Sequence, residues 1–216
     1  SSAASDVYKR QALKILGLKG VKQSSALLSM IVLIFGTNYF YYIAFDLSLV
    51  HIHSMVLINA VIYLVLKWEQ GDYQRRGYLY YAGLSLGLAV ITRPTDVFLL
   101  PLLLVFLSNR IEAIKELFVK QQKVLLILVL IAFVVLMIPS LLWKWQADVF
   151  YAYSYGQEGF DFTSPEITNF LWSYNNGWFV YTPLLFVILP LGLYLLFKKD
   201  QVSFFWTIGF YFITIY

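Results

Sequence analysis

No cysteine occurs in the 216 residues, so disulfides and thiolate chemistry are excluded from this chain. Charge is nearly as scarce. Asp, Glu, Lys and Arg make up 13% of the sequence, against roughly 25% in ordinary soluble domains. Histidine occurs twice, too few to build a metal site without carboxylates or other ligands. There is no internal repeat and no low-complexity tract. What fills the chain is apolar: 60% of it is Ala, Val, Ile, Leu, Met, Phe, Trp or Tyr, which places it in the membrane class.

The apolar residues fall into stretches. Leu27–Phe45, Leu49–Leu66, Val124–Trp143 and Phe179–Leu196 each approach the length needed to cross a hydrocarbon core of roughly 30 Å at about 1.5 Å per residue. Tyr78–Leu107 is too long for one span and carries Arg93-Pro94 near its middle. Val202–Tyr216 is still apolar where the sequence stops. The expected fold is therefore all-α: a polytopic integral membrane bundle of six full spans and a truncated seventh, with a short hairpin at 78–107.

Basic residues sit in every second gap between these stretches: Lys14, Lys19 and Lys22; Lys67, Arg75 and Arg76; Arg110, Lys115, Lys120 and Lys123; Lys198 and Lys199. The positive-inside rule assigns the corresponding loops, 12–24, 67–77, 108–123 and 197–201, to the cytoplasm. The opposite gaps hold Asp46, Asp96, Asp148, Glu158, Asp161 and Glu166. The net charge of +4 thus records orientation, and nucleic acid is not an expected partner. Folding 78–107 as a hairpin keeps both of its basic flanks on one side. Arg110–Lys123 reads as a cytoplasmic interfacial helix that serves as connecting structure, with Ile111, Ile114, Leu117 and Phe118 on one side and Glu116 and Lys120 spaced to pair.

Residues 1–11, SSAASDVYKRQ, back-translate codon for codon to an adapter used in transposase-based sequencing libraries, and are expected not to be natural. The natural sequence is then expected to run from Ala12 to Tyr216 as part of a longer protein.

Four outward features carry candidate chemistry. Asp46 closes the first hairpin, followed by His51 and His53, which would point to different helix faces. Arg93 is a guanidinium at membrane depth, costing about 2.5–3.5 kcal/mol to insert, and such residues are paired or functional. Either Asp96 pairs with it across one turn, or its planar fork grips phosphate. The outer loop 144–177 is rich in aromatics, with a helix start at Ser164-Pro165-Glu166 and a glycine-flanked turn, Tyr155-Gly-Gln-Glu158-Gly. Last comes Ser173-Tyr-Asn-Asn176-Gly-Trp178, a turn whose amides suit either structure or a sugar.

The runs Gly36–Asp46, His51-Ile-His-Ser54 and Ala89-Val-Ile-Thr-Arg-Pro-Thr95 resemble the multispan glycosyltransferases of the GT-C superfamily. So do Tyr153–Phe160 and Asn176–Pro183. Together they look like a bacterial branch near the protein O-mannosyltransferases and aminoarabinose transferases. The resemblance implies a polyprenyl-phosphate-linked sugar donor, a glycan, lipid or protein acceptor, and transfer on the non-cytoplasmic side of the bacterial inner membrane. It also implies that the main acidic residues lie in a loop before Ala12, that Asp46 matches a second acidic position, and that a divalent metal is one option. Glu158 is a weaker catalytic candidate; Arg93, His51, Tyr155 and Asn176 are candidate substrate contacts. The competing reading is a transporter or lipid-linked-substrate flippase, in which Arg93, Asp46 and the histidines line a pathway.

Overall fold

Three threonines mark where the apolar stretches stop being helix. Thr37, Thr92 and Thr182 each turn the hydroxyl back onto the carbonyl four residues earlier: Leu33 at 2.6 Å, Leu88 at 2.8 Å and Trp178 at 2.5 Å. Such back-bonding satisfies a helix-terminal carbonyl and competes with continuation of the helix. At two of these sites proline follows. Arg93, before Pro94, is extended at φ −146° and ψ 108°, as a residue preceding proline prefers. Thr182 precedes Pro183 directly.

The computed structural model describes residues 2–37, 39–40, 50–151, 164–175 and 177–215. Among these the chain is helical, with no strand. The elements are α1 (Ser2–Leu18), α2 (Gln23–Gly36), α3 (Val50–Gln70), α4 (Gly77–Thr92), a 3₁₀ segment (Pro94–Leu99), α5 (Leu103–Phe106), α6 (Arg110–Lys115) with a π turn (Glu116–Lys120), α7 (Gln122–Ala147), α8 (Ile167–Trp172), α9 (Trp178–Tyr181), α10 (Pro183–Lys199) and α11 (Gln201–Ile215).

The expectation of six full spans and a truncated seventh is not met. Among the described residues two helices, α3 and α7, are long and apolar enough to cross a membrane. The helix ends explain the difference. α2, α4, α10 and α11 keep 14, 16, 17 and 15 residues, or roughly 21 to 26 Å against a core of roughly 30 Å. A hydropathy pattern counts apolar side chains and passes over the threonine and proline that end the hydrogen-bonded ladder.

The packing centres on α4, which lies against α3 on one side and α7 on the other, while α1 covers α3. Gly83 and Gly87, one turn apart, give α4 its closeness to α7: a Cβ on Gly83 would lie 2.6 Å from Leu128 Cδ2, and one on Gly87 3.0 Å from Val135 Cγ1. Such small-residue spacing lets helices approach closely in a membrane. After Arg93 the chain doubles back. Leu79, near the start of α4, and Leu107, beyond α5, share one buried cluster with Trp68, Ala113 and Val124. Tyr8, within the adapter-like segment, is buried between α2 and α3 against Tyr39 and Met30.

The four basic gaps meet at one end of the bundle. α1 closes in a Schellman motif, with Gly20 at φ +71° and Val21 N–H donating to Leu16 O. Lys19 Nζ then donates to Phe106 O at 2.7 Å, and Gln70 Nε2 to Leu18 O at 3.4 Å. Glu69 accepts the backbone N–H groups of Ser108 and Asn109 at 2.7 and 2.9 Å. In the α3–α4 turn Asp72 and Tyr73 are both left-handed, at φ 50° and 64°. Trp68 Nε1 and Gln121 Nε2 hold that strained turn through the Tyr73 carbonyl. Arg110 donates to Leu104 O and pairs with Asp200, joining α6 to the α10–α11 corner.

Asp200 is held well below the usual carboxylate range, first by the Ser203 hydroxyl, then by the Arg110 guanidinium and the Ser203 backbone N–H. Its folded value is depressed, so the clasp contributes stability above the unfolded value near about 4 and loses it as pH falls through the folded value. Proteolysis between α10 and α11 is expected to accelerate progressively as pH falls below about 4. Asp200→Asn should show the fast rate already at neutral pH. Equal cleavage of wild type and variant at neutral pH would contradict this role for the clasp.

Candidate functional site

At the opposite end, α3 begins where the 3₁₀ segment turns back, and two polar rungs join them. Arg93 NH1 lies 2.8 Å from His51 Nδ1. Three residues on along both elements, Ser54 Oγ donates to the Asp96 carboxylate. His51 and Ser54 share a face of α3 because they are spaced i, i+3; Arg93 and Asp96 are set one tight turn apart, with Asp96 N–H donating to Arg93 O at 2.9 Å. The side chains therefore cross between elements, and the Arg93–Asp96 ion pair, one of the two alternatives for Arg93, is not among those formed by the described residues.

The rungs constrain protonation. A guanidinium can only donate, so His51 Nδ1 must accept, which puts the proton of a neutral imidazole on Nε2. Asp96 is 6% exposed, and the Ser54 hydroxyl offsets part of the cost of burying its carboxylate. Arg93 is only half-buried. With one NH1 bond to His51, its remaining N–H groups stay available in number for a planar anion. No carboxylate pairs with it among the described residues.

No protein-family model, curated protein or solved structure matches the chain. The site is therefore read from its own chemistry. Of the sequence-derived candidates, Arg93 and His51 are brought together. Asp46, Tyr155, Glu158 and Asn176 lie outside the described residues. His53 is exposed, away from the half-buried His51, as their spacing requires. Among the described residues no three His, Asp or Glu side chains converge as a metal set, and His51 Nδ1 is already engaged by Arg93. No step is assigned to a metal.

The outer loop differs from expectation in one detail. Ser164 does not cap a helix; α8 begins at Ile167, after Glu166, whose carboxylate accepts from Asn169 Nδ2 at 2.5 Å. The α8 rings then reach the neighbouring helices: Trp172 lies 5.4 Å from Phe186 and Phe170 6.1 Å from Trp178. Ser54 was missed as a site residue in the sequence. Its only signal there was its i, i+3 spacing from His51.

Proposed function

We propose that this chain forms the carrier-binding part of a membrane glycosyltransferase, moving a sugar from a polyprenyl-phosphate donor to a glycan, lipid or protein acceptor. The supporting observation is Arg93, presented at a helix break and oriented by a neutral histidine, with no carboxylate paired to it among the described residues. A half-exposed guanidinium in that setting suits the phosphate of a lipid carrier, whose tail the apolar helix faces would accommodate. The gathering of basic loops at the far end supports placing Arg93 on the non-cytoplasmic side of a bacterial inner membrane.

In this reading the acceptor hydroxyl gives its proton to a carboxylate, for which Asp46, five positions before His51, is the candidate. The acceptor oxygen bonds to the anomeric carbon while the bond from that carbon to the carrier phosphate oxygen breaks. Arg93 holds the charge gained by the departing phosphate. Tyr155, Glu158 and Asn176 are the candidate contacts for the acceptor sugar or peptide.

Phosphate dependence is the test. Purified chain in detergent is expected to bind a polyprenyl-phosphate-linked sugar saturably, read by tryptophan fluorescence. Free polyprenyl phosphate should compete and polyprenol of equal length should not. Equal competition by the alcohol would reduce the site to a greasy surface and remove the basis for the proposal.

A further inference from the structure

The segment from Arg110 to Lys123 sorts its four cations by direction. Arg110 pairs with Asp200, and Lys120 reaches both Glu112 at 3.0 Å and Glu116 at 2.8 Å. The Lys120 ammonium is pushed up to about 12, first by the Glu116 hydrogen bond and then by Glu112, while Glu116 is lowered by Lys120 and Gln121. Every carboxylate of this segment is thus committed to Lys120. Lys115 and Lys123 are exposed and make no ion pair among the described residues.

The same exposed surface is apolar between its lysines. Ile111 is 80% exposed, Val119 63% and Phe118 54%, with Ile114 also outward. Leu117, expected on the same side as Ile111, Ile114 and Phe118, instead faces with Ala113 into the cluster around Trp68. The surface runs directly into α7, which continues outward with Leu126, Val129, Leu130 and Phe133. Unpaired ammonium groups beside bare isoleucine and phenylalanine demand a partner that is anionic and apolar within one side-chain length. The headgroup–acyl boundary of a bilayer is such a partner.

We infer that α6 and the π turn after it form a lipid-binding foot, in which Lys115 and Lys123 bind anionic phospholipid headgroups while Ile111 and Phe118 enter the acyl boundary. This rests on α7 crossing the bilayer and is independent of sugar transfer. The committed occupant is the membrane that α7 enters: the apolar strip is continuous with the lipid-facing surface of that helix, and the unpaired charge on it is positive.

The absence of cysteine makes the test direct. Single nitroxide labels at Ile111→Cys and Phe118→Cys, with Gln74→Cys as an exposed control, are placed in the full chain in nanodiscs containing phosphatidylglycerol and phosphatidylcholine. The labels at 111 and 118 should be reached by oxygen and shielded from a water-soluble nickel chelate, unlike the label at 74. In unlabelled protein, the double change Lys115→Gln and Lys123→Gln should cut the enrichment of phosphatidylglycerol around the protein by about five-fold. Nickel access at 111 and 118 equal to that at 74 would overturn the foot and point to a protein partner instead. An unchanged lipid preference in the glutamine variant would overturn the headgroup contact.

Discussion

Arg93→Ala should weaken binding of polyprenyl phosphate by about a hundredfold, with Arg93→Lys falling between it and the wild type. Hydrogen bonds to charged groups contribute about 1.5–3 kcal/mol each. A bidentate grip on phosphate would thus represent roughly 3 kcal/mol, or two powers of ten. Lysine keeps the charge but not the fork, so about tenfold of the loss should remain. His51→Ala should cost less, because it removes the group that orients Arg93 and leaves the cation in place. The exposed Lys144, already paired with Asp148 at 2.5 Å, serves as the control cation, and its alanine variant should bind normally. Titration of detergent-purified proteins, each shown to keep its helical circular dichroism, decides the matter. A folded Arg93→Ala protein with wild-type affinity would end the phosphate assignment.

Gly87→Leu should disrupt the seam between α4 and α7, lowering stability by about 3 kcal/mol, the upper end of overpacking costs. The first atom added to Gly87 already meets Val135 Cγ1 at 3.0 Å and Cβ at 3.2 Å. Val135 is buried and β-branched, and in a helix such a side chain has essentially one rotamer, so it cannot swing away. Gly83 is the contrast. Its added Cβ would strike only the tip of Leu128, which can rotate, and alanine there gains up to about 1 kcal/mol of helix propensity. Gly83→Ala should therefore be neutral or slightly stabilising. Thermal unfolding in one detergent ranks the variants, and an unshifted midpoint for Gly87→Leu would show that α4 and α7 are not closely seated. Because Arg93 follows α4 directly, the same variant should also lose carrier binding.

Much of this arrangement is legible in the residues, and the gaps have physical causes. The loops that carry the alternating basic residues share one end of the bundle, where Lys19, Glu69 and Arg110 knit them together. The Arg93-Pro94 break was legible because proline removes a donor and constrains the residue before it. The breaks at Thr37 and Thr182 were not read, since a threonine hydroxyl bonding its own helix leaves no mark in an apolar count. Span number was overestimated for that reason. Arg93 and Asp96, three residues apart, allowed a pair as one alternative; the actual partners, His51 and Ser54, come from a helix more than forty positions earlier. The Gly83–Gly87 spacing stood in plain view, but a sequence does not say which helix will lie against it.

The three threonine breaks all fall at the end that carries Arg93, while the other end is stitched by side-chain bonds among four loops. Mechanically the bundle is clamped at its basic base, while the two rungs from α3 to Arg93 and Asp96 are the side-chain ties described at its tip. A ligand that pulls on Arg93 therefore does work against the short 3₁₀ segment and the first turn of α3, and little of that work reaches the base.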